Sequence, residues 1–285
     1  MPIKRILFPT DFSEYTENSF SYAVHLAAVL QADVYIFHNY RLPQISSEIP
    51  DPGFEEEMKA VEFGSLQRIE EFAELGEKIE PAVQFEFVLV SGNLLDNIEA
   101  TVKNHSIDLI VMSTKGAGQF RNLFSETKAA RIIEKASCPV LVIPRTFNFS
   151  PIKNILFPSD FYNSDIKSIS LLASIASPYK AKINIAHFSE EGKFADKLIL
   201  KEFEKEVRNS VSYPDIQFSI IEERDMYKAI QNYSKDHNID LVVMSTRQRN
   251  KIEKLYDQSL TQKMATHGDI PVLAFHVDKV YETII

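Results

Sequence analysis

The sequence predicts an α/β protein made of two tandem doubly wound domains, each a parallel sheet with helices on both faces. Three observations carry this. The chain repeats itself once, strands alternate with helices inside each repeat, and the strands are nearly continuous apolar runs. PIKRILFPTDF (2–12) returns as PIKNILFPSDF (151–161), which lays Asp11 on Asp160. NHSIDLIVMST (104–114) returns as DHNIDLVVMST (236–246), and CPVLVIP (138–144) as IPVLAFH (270–276). A repeat this long is a whole domain, not a solenoid unit. The expected domains are 1–146 and 151–285. The offset is 149 at the first pair and 132 at the later ones, so about 17 residues of the first copy lack a counterpart.

In the first copy, IKRILFP is a short apolar run of the kind that forms a strand buried on both faces. SEYTENSFSYAVHLAAVLQ follows, with Ala23, Leu26, Ala27 and Leu30 spaced along one helical face and Ser13 placed to cap it. DVYIFHNY is the second strand. RLPQISSEIPDPGFEEEMKAVE (41–62) holds the extra residues: three prolines and Gly53 mark its first half as loop, and its acidic second half opens a helix running to about Glu77. A lid over a ligand and a solvated surface elaboration both fit that segment, and cheap insertion into long loops favours the second. QFEFVLV, a helix from about Asn93 to Asn104, DLIVMS, the helix TKAARIIEKA and PVLVIP complete the copy. The second copy runs through KNILFP, KINIAHF, IQFSII, DLVVMS and PVLAFH. Alternation of this kind gives right-handed crossovers and a parallel sheet, whose ligands bind outside the carboxyl ends of the strands. Asp11 and the loop after Ser113 both fall at such ends.

Composition narrows the function classes. Of 285 residues, 45% are hydrophobic and 25% charged, a globular balance. No apolar run reaches the roughly 20 residues that span a bilayer, and MPIKRILFPTDF lacks the pattern of a signal peptide. A formal charge of −9 argues against a nucleic-acid partner. A single cysteine, Cys138, fits a reducing, cytoplasmic address, and its place before Pro139 at the head of an apolar strand indicates burial.

These residues together resemble the universal stress protein family in its tandem two-domain form. ILFPTDF and ILFPSDF, IFH and IAH, LIVMST, CPVLVIP and their repeats carry the resemblance, which covers nearly the whole chain. It implies a five-stranded sheet in each domain. It also implies an internal pseudo-dimer in which PVLVIP and PVLAFH pair antiparallel. Many members of the family bind ATP through a loop patterned Gly-x2-Gly-x9-Gly-Ser/Thr, whose glycines let backbone N–H groups reach phosphate oxygens at a helix N-terminus.

On that pattern the first copy reads Ser113, Gly116, Glu126 and Thr127, with Lys115 and Gly118 inside the loop; the second reads Ser245, Gln248, Gln258 and Ser259. One glycine of three survives in the first copy and none in the second. Ser113 adds little bulk. Glu126 is more serious, because a carboxylate about 4 Å from a phosphate charge costs roughly 4 kcal/mol per charge pair at an effective dielectric of 20. Glu126 instead complements its own helix N-terminus. Lys115 and a bridging Mg²⁺ are the two features that could offset it. The candidate site in the first copy is therefore Asp11, Gly92, Ser113, Lys115, Gly116, Gly118, Glu126 and Thr127, a degenerate site for ATP or AMP with Mg²⁺. In the second copy Arg224 replaces Gly92 when Ile98 is matched to Ile230, and Ser259 with Gln262 has capping-box spacing.

Other residues point to structure. Asp11 suits a turn that opens a helix as well as it suits a nucleoside, and Asp160 is expected in such a turn. His38, His187, His105 and His237 repeat but lack partners at zinc-like spacing, so packing and turn roles are expected. No nucleophile elbow or P-loop lysine is present. The expectation is a non-catalytic stress-response protein with weak or no ATP binding. The alternatives are an ATP or AMP sensor using the first domain and a slow ATPase. An unidentified protein partner and further association through exposed faces stay open.

Overall fold

A computed structural model describes residues 3–13, 16–41, 53–114, 126–189, 194–246 and 260–276. The first half runs β1 (Arg5–Pro9), α1 (Glu17–Leu30), β2 (Asp33–Tyr40), α2 (Phe54–Ile79), β3 (Phe85–Ser91), α3 (Leu94–Asn104), β4 (Leu109–Thr114), α4 (Glu126–Lys135) and β5 (Val140–Pro144). The second runs β6 (Asn154–Pro158), α5 (Asn163–Ala176), a 3-10 turn (Ser177–Tyr179), β7 (Lys182–Ser189), α6 (Phe194–Ser210), β8 (Ile216–Glu222), α7 (Met226–Asp236) and β9 (Leu241–Thr246). It closes with a helix over 260–267, here α8, and β10 (Val272–His276).

The strands join into one ten-stranded sheet ordered β3-β2-β1-β4-β5-β10-β9-β6-β7-β8. Each half is thus a doubly wound sheet of five parallel strands, and the halves meet where β5 and β10 run antiparallel. That junction is self-complementary. Leu141 pairs with Leu273, its own counterpart in the repeat, and so lies on the pseudo-two-fold axis.

Apolar alternation along each strand divides the core into two layers. On one face Ile6, Phe8 and Ile36 pack with Phe20, Ala23 and Phe72, and the same layer continues through Ile155, Phe157 and Ile185 of the second half. On the other face Leu7, Phe37 and Met112 pack with Ile98, Ile132 and their second-half equivalents. Because both layers cross the β5–β10 seam, the halves share their cores. A Phe or Ile as enclosed as Phe8 or Ile6, each fully buried, contributes about 1.5–3 kcal/mol.

The expected face of α1 is buried at Ala23, Leu26 and Ala27, but Ser13 does not cap the helix. The helix opens after Thr16 with no side-chain cap, and the Ser13 hydroxyl donates to Asp11 Oδ1 at 2.7 Å. Ser13 lies three residues before the helix cap, and its side chain closes the turn onto Asp11 instead. A second stripe of α1 holds the segment linking the two halves. Asn18 Nδ2 donates to the carbonyls of Arg145 and Phe147, Tyr22 packs on Phe147 and Phe149, and His25 stacks on Phe149 with ring centroids 4.4 Å apart. Residues 18, 22 and 25 fall on one line because a helix returns to the same side every three to four residues.

The acidic second half of the insertion is helical as expected: α2 has 26 residues against 17 in α6. Its opening turns project beyond the core, with Glu55, Glu56, Glu57 and Phe63 exposed. Residues 42–52 lie outside the described residues.

Candidate functional site

The carboxyl ends of β1, β2 and β3 converge at a turn built the same way in both halves. After β1, Phe12 takes a left-handed φ of 57°, and after β6, Phe161 takes 60°. A bulky residue rarely accepts that conformation, so surrounding bonds must enforce it. The Phe12 N–H donates to Thr10 Oγ1, and the Phe161 N–H to Ser159 Oγ, each at 2.9 Å. The ring then packs on the histidine ending the neighbouring strand, His38 at 4.4 Å and His187 at 5.0 Å. Each histidine donates Nδ1–H to the Thr10 or Ser159 carbonyl at 2.9 Å. That carbonyl fixes the tautomer. Burial, more than any neighbouring charge, lowers the pKa of His38 below the ordinary histidine value. The histidines pack and brace a turn, as the sequence reading expects.

Asp11 completes the first turn. Its Oδ1 accepts the Ser13 N–H at 3.1 Å as well as the Ser13 hydroxyl, a turn role that occupies one carboxylate oxygen. Asp160 makes no such closure; its half-exposed carboxylate stands 3.7 Å from His187 Nδ1. The helix after β6 is opened instead by Asp165, fully buried, whose Oδ2 accepts the Ser159 hydroxyl at 2.6 Å and the Tyr162 N–H at 3.3 Å. Thr16 holds that position in the first half, sharing a hydrogen with Thr10 Oγ1 at 3.2 Å.

Gly92 follows β3 directly and has φ +112°, a conformation that only glycine adopts without strain. Two asparagines clamp its turn. Asn39 Nδ2 donates to the Gly92 carbonyl at 3.1 Å, and Asn97 Nδ2 donates to Asn39 Oδ1 at 2.7 Å and to the Ser91 carbonyl at 2.9 Å. Asn93 caps α3 by accepting from the Leu95 and Asp96 N–H groups. The second half departs more than a Gly92-to-Arg224 replacement implies. β8 ends at Glu222 and α7 is capped by Asp225, so two residues, Glu223 and Arg224, span a turn that Gly92 spans alone. The longer turn needs no left-handed residue, and none occurs there.

Ser113 is buried at the end of β4 with its hydroxyl 3.3 Å from the Thr114 carbonyl. Lys115, Gly116 and Gly118 lie outside the described residues. Glu126 and Thr127 form the first turn of α4, and their side chains lie outside the description, as does Ser259 of the expected capping box. The described part of the candidate site thus sets Asp11 near His38 at the ends of β1 and β2, and clamps Gly92 with Asn39 and Asn97 at the end of β3.

At the equivalent place in the second half lies a cavity of about 40 Å³, lined by Ser159, Asp160, Met226, Met244, Leu260 and Thr261. Ligand pockets for small organic molecules run to about 300–1,000 Å³. Leu260 and Thr261 stand where the first half has Lys128 and Ala129.

Sequence reasoning missed several of these residues. Asn39 and Asn97 carry no repeat signal, since Phe188 and Ala229 replace them. Phe12 and Phe161 did repeat, as did Asp108 and Asp240. The last pair accept two consecutive backbone N–H groups at the start of the first strand of each half, Lys4 and Arg5 in one and Lys153 and Asn154 in the other. Repetition of a polar residue at a strand start was the available signal. Cys138 is buried, and burial above all, then Glu99 and Asp108, pushes its thiol far above the ordinary range, so it is chemically quiet.

A model of the universal stress protein family matches the chain twice, over residues 2–144 and 151–276. A universal stress protein of Thermus aquaticus is 28% identical over 141 residues, 49% of this chain and 98% of that one. One from Methanocaldococcus jannaschii is 26% identical over 145 residues, 50% of this chain and 82% of its own length. The crystal structure of a universal stress protein from Archaeoglobus fulgidus superposes with a TM-score of 0.68 at 16% identity, covering 95% of this chain and 96% of that one, a likeness of fold. No helix among the described residues is long and apolar enough to cross a membrane.

Proposed function

Because this chain belongs to the universal stress protein family, we propose that it is a non-catalytic stress-response protein with two unequal domains, 1–146 and 151–285. Its first domain retains a degenerate site for ATP or AMP with Mg²⁺, and its second has none. The observation that carries this reading is the contrast at the strand ends. In the first half a glycine turn clamped by Asn39 ends β3, while at the equivalent place in the second Met226, Met244 and Leu260 line a cavity of about 40 Å³. Function on this scaffold depends on the site and not on the fold, and no described group is arranged as a nucleophile and base. The sensor alternative draws on Gly116, Gly118 and Thr127, which the first copy keeps. Lys115 would pair with phosphate charge, and Glu126 would oppose it.

Calorimetric titration of nucleotide-stripped protein with ATP and Mg²⁺ tests the proposal. The expected result is at most one site per chain, weaker than micromolar, with Glu126→Gln tightening it at least tenfold and Asp11→Ala weakening it. Two sites per chain, or micromolar binding unmoved by Glu126→Gln, would overturn it.

A further inference from the structure

Two tyrosines from different halves share an unsolved hydrogen-bonding problem. Tyr22 projects from α1 and is 1% exposed; Tyr179 ends the 3-10 turn of the second half. The hydroxyl oxygens of both are buried with no hydrogen-bond partner among the described residues. Their elements pack together, since α1 contacts the 3-10 turn. Phe147 and Phe149 wall the Tyr22 ring at 6.2 and 5.2 Å with side chains that carry no acceptor. Burial first, then the Tyr179 phenol and the Asp240 carboxylate, push the Tyr22 hydroxyl well above the phenol range, which places all three within electrostatic reach. Burial likewise raises Tyr179. Both therefore remain O–H groups with a proton to donate.

Leaving one buried hydroxyl unpaired is costly, and leaving two on touching elements more so. A water resolves both at once: it accepts two hydrogen bonds, and it is held in a protein interior by two to four polar partners. We infer that Tyr22 and Tyr179 hold one buried water between them, tying α1 of the first half to the turn of the second beneath the connecting segment. The tie is absent from the other pseudo-symmetric position. The repeat places Leu171 opposite Tyr22 and Leu30 opposite Tyr179, so an apolar pair stands there.

Thermal unfolding of the full chain with Tyr22→Phe, Tyr179→Phe and the double substitution tests this, because phenylalanine keeps the ring packing and removes only the hydroxyl. Each single variant is expected to lower the midpoint by about 2–3 °C. The double variant should fall no further than the worse single, the signature of one shared interaction. A crystal structure at high resolution should place a water within hydrogen-bonding distance of both oxygens. Single variants that are neutral or stabilised, additive losses, or two phenols in direct contact without a water would each overturn the inference.

Discussion

The two halves answer one packing problem with different choices. Phe72 and Phe203 are equivalent, each lying 5.3 Å from the left-handed phenylalanine of its own half. One helical turn later stand Gly76 in α2 and Val207 in α6. In the sheet, Val34 pairs with Phe85, and its counterpart Ile183 pairs with Ile216. The first half sets a glycine against a strand phenylalanine, and the second sets a valine against a strand isoleucine. A Cβ on Gly76 would run into the Phe85 ring. Space that one ring fills in the first half is divided between helix and strand side chains in the second, as close-packed interiors require. The strand ends behave differently. There the halves share the turn at Phe12 and Phe161 yet part at Gly92, at Asn39 and Asn97, and at Thr16, where no equivalent volume rule constrains them.

The largest expected effect tests the packing half of this comparison. Gly76→Val should cost about 3 kcal/mol by overpacking against Phe85, and adding Phe85→Ile should recover most of it by recreating the second half's pair. Urea unfolding measures both, and a double variant no better than the single would break the equivalence of the two layers. Next comes the asparagine clamp. Asn97→Ala should destabilise by about 1–2 kcal/mol, since it strands the buried Asn39 amide. Ala229→Ser, facing apolar Phe188 in the second half, should give no compensating gain. Equal and opposite effects would mean that the two turns are interchangeable after all.

The smallest effect is a pH dependence at His38. Its folded pKa lies below 6.5 because burial disfavours the imidazolium. As pH falls through the ordinary histidine range the unfolded chain takes up the proton first, so stability drops with pH until the folded ring also protonates. Above that window it is level. His38→Gln should flatten this part of the stability–pH curve; an unchanged slope would show that other groups carry it.

Much of this was legible in the sequence because apolar runs and their order report burial directly. Every expected strand is found to within a residue or two, and the antiparallel meeting of PVLVIP and PVLAFH follows from the family resemblance. The Ser13 cap failed because the turn after β1 extends to Thr16 before the helix opens, and apolar spacing does not mark where that turn ends. Arg224 opposite Gly92 failed because matching helices by Ile98 and Ile230 hides an added residue in the turn before them; only strand pairing counts it.

The sequence by itself determined the tandem repeat and the alternation of strands and helices within each copy, since each depends on residues near one another in the chain. Tertiary structure decided which residues separated by tens of positions share a site. Asn39 meets Asn97, Phe12 meets His38, Gly76 yields to Phe85, and α1 of one half meets the 3-10 turn of the other. Such pairs leave no local periodicity, because the forces that join them, hydrogen bonding and shape complementarity, act only after the strands have brought distant residues together.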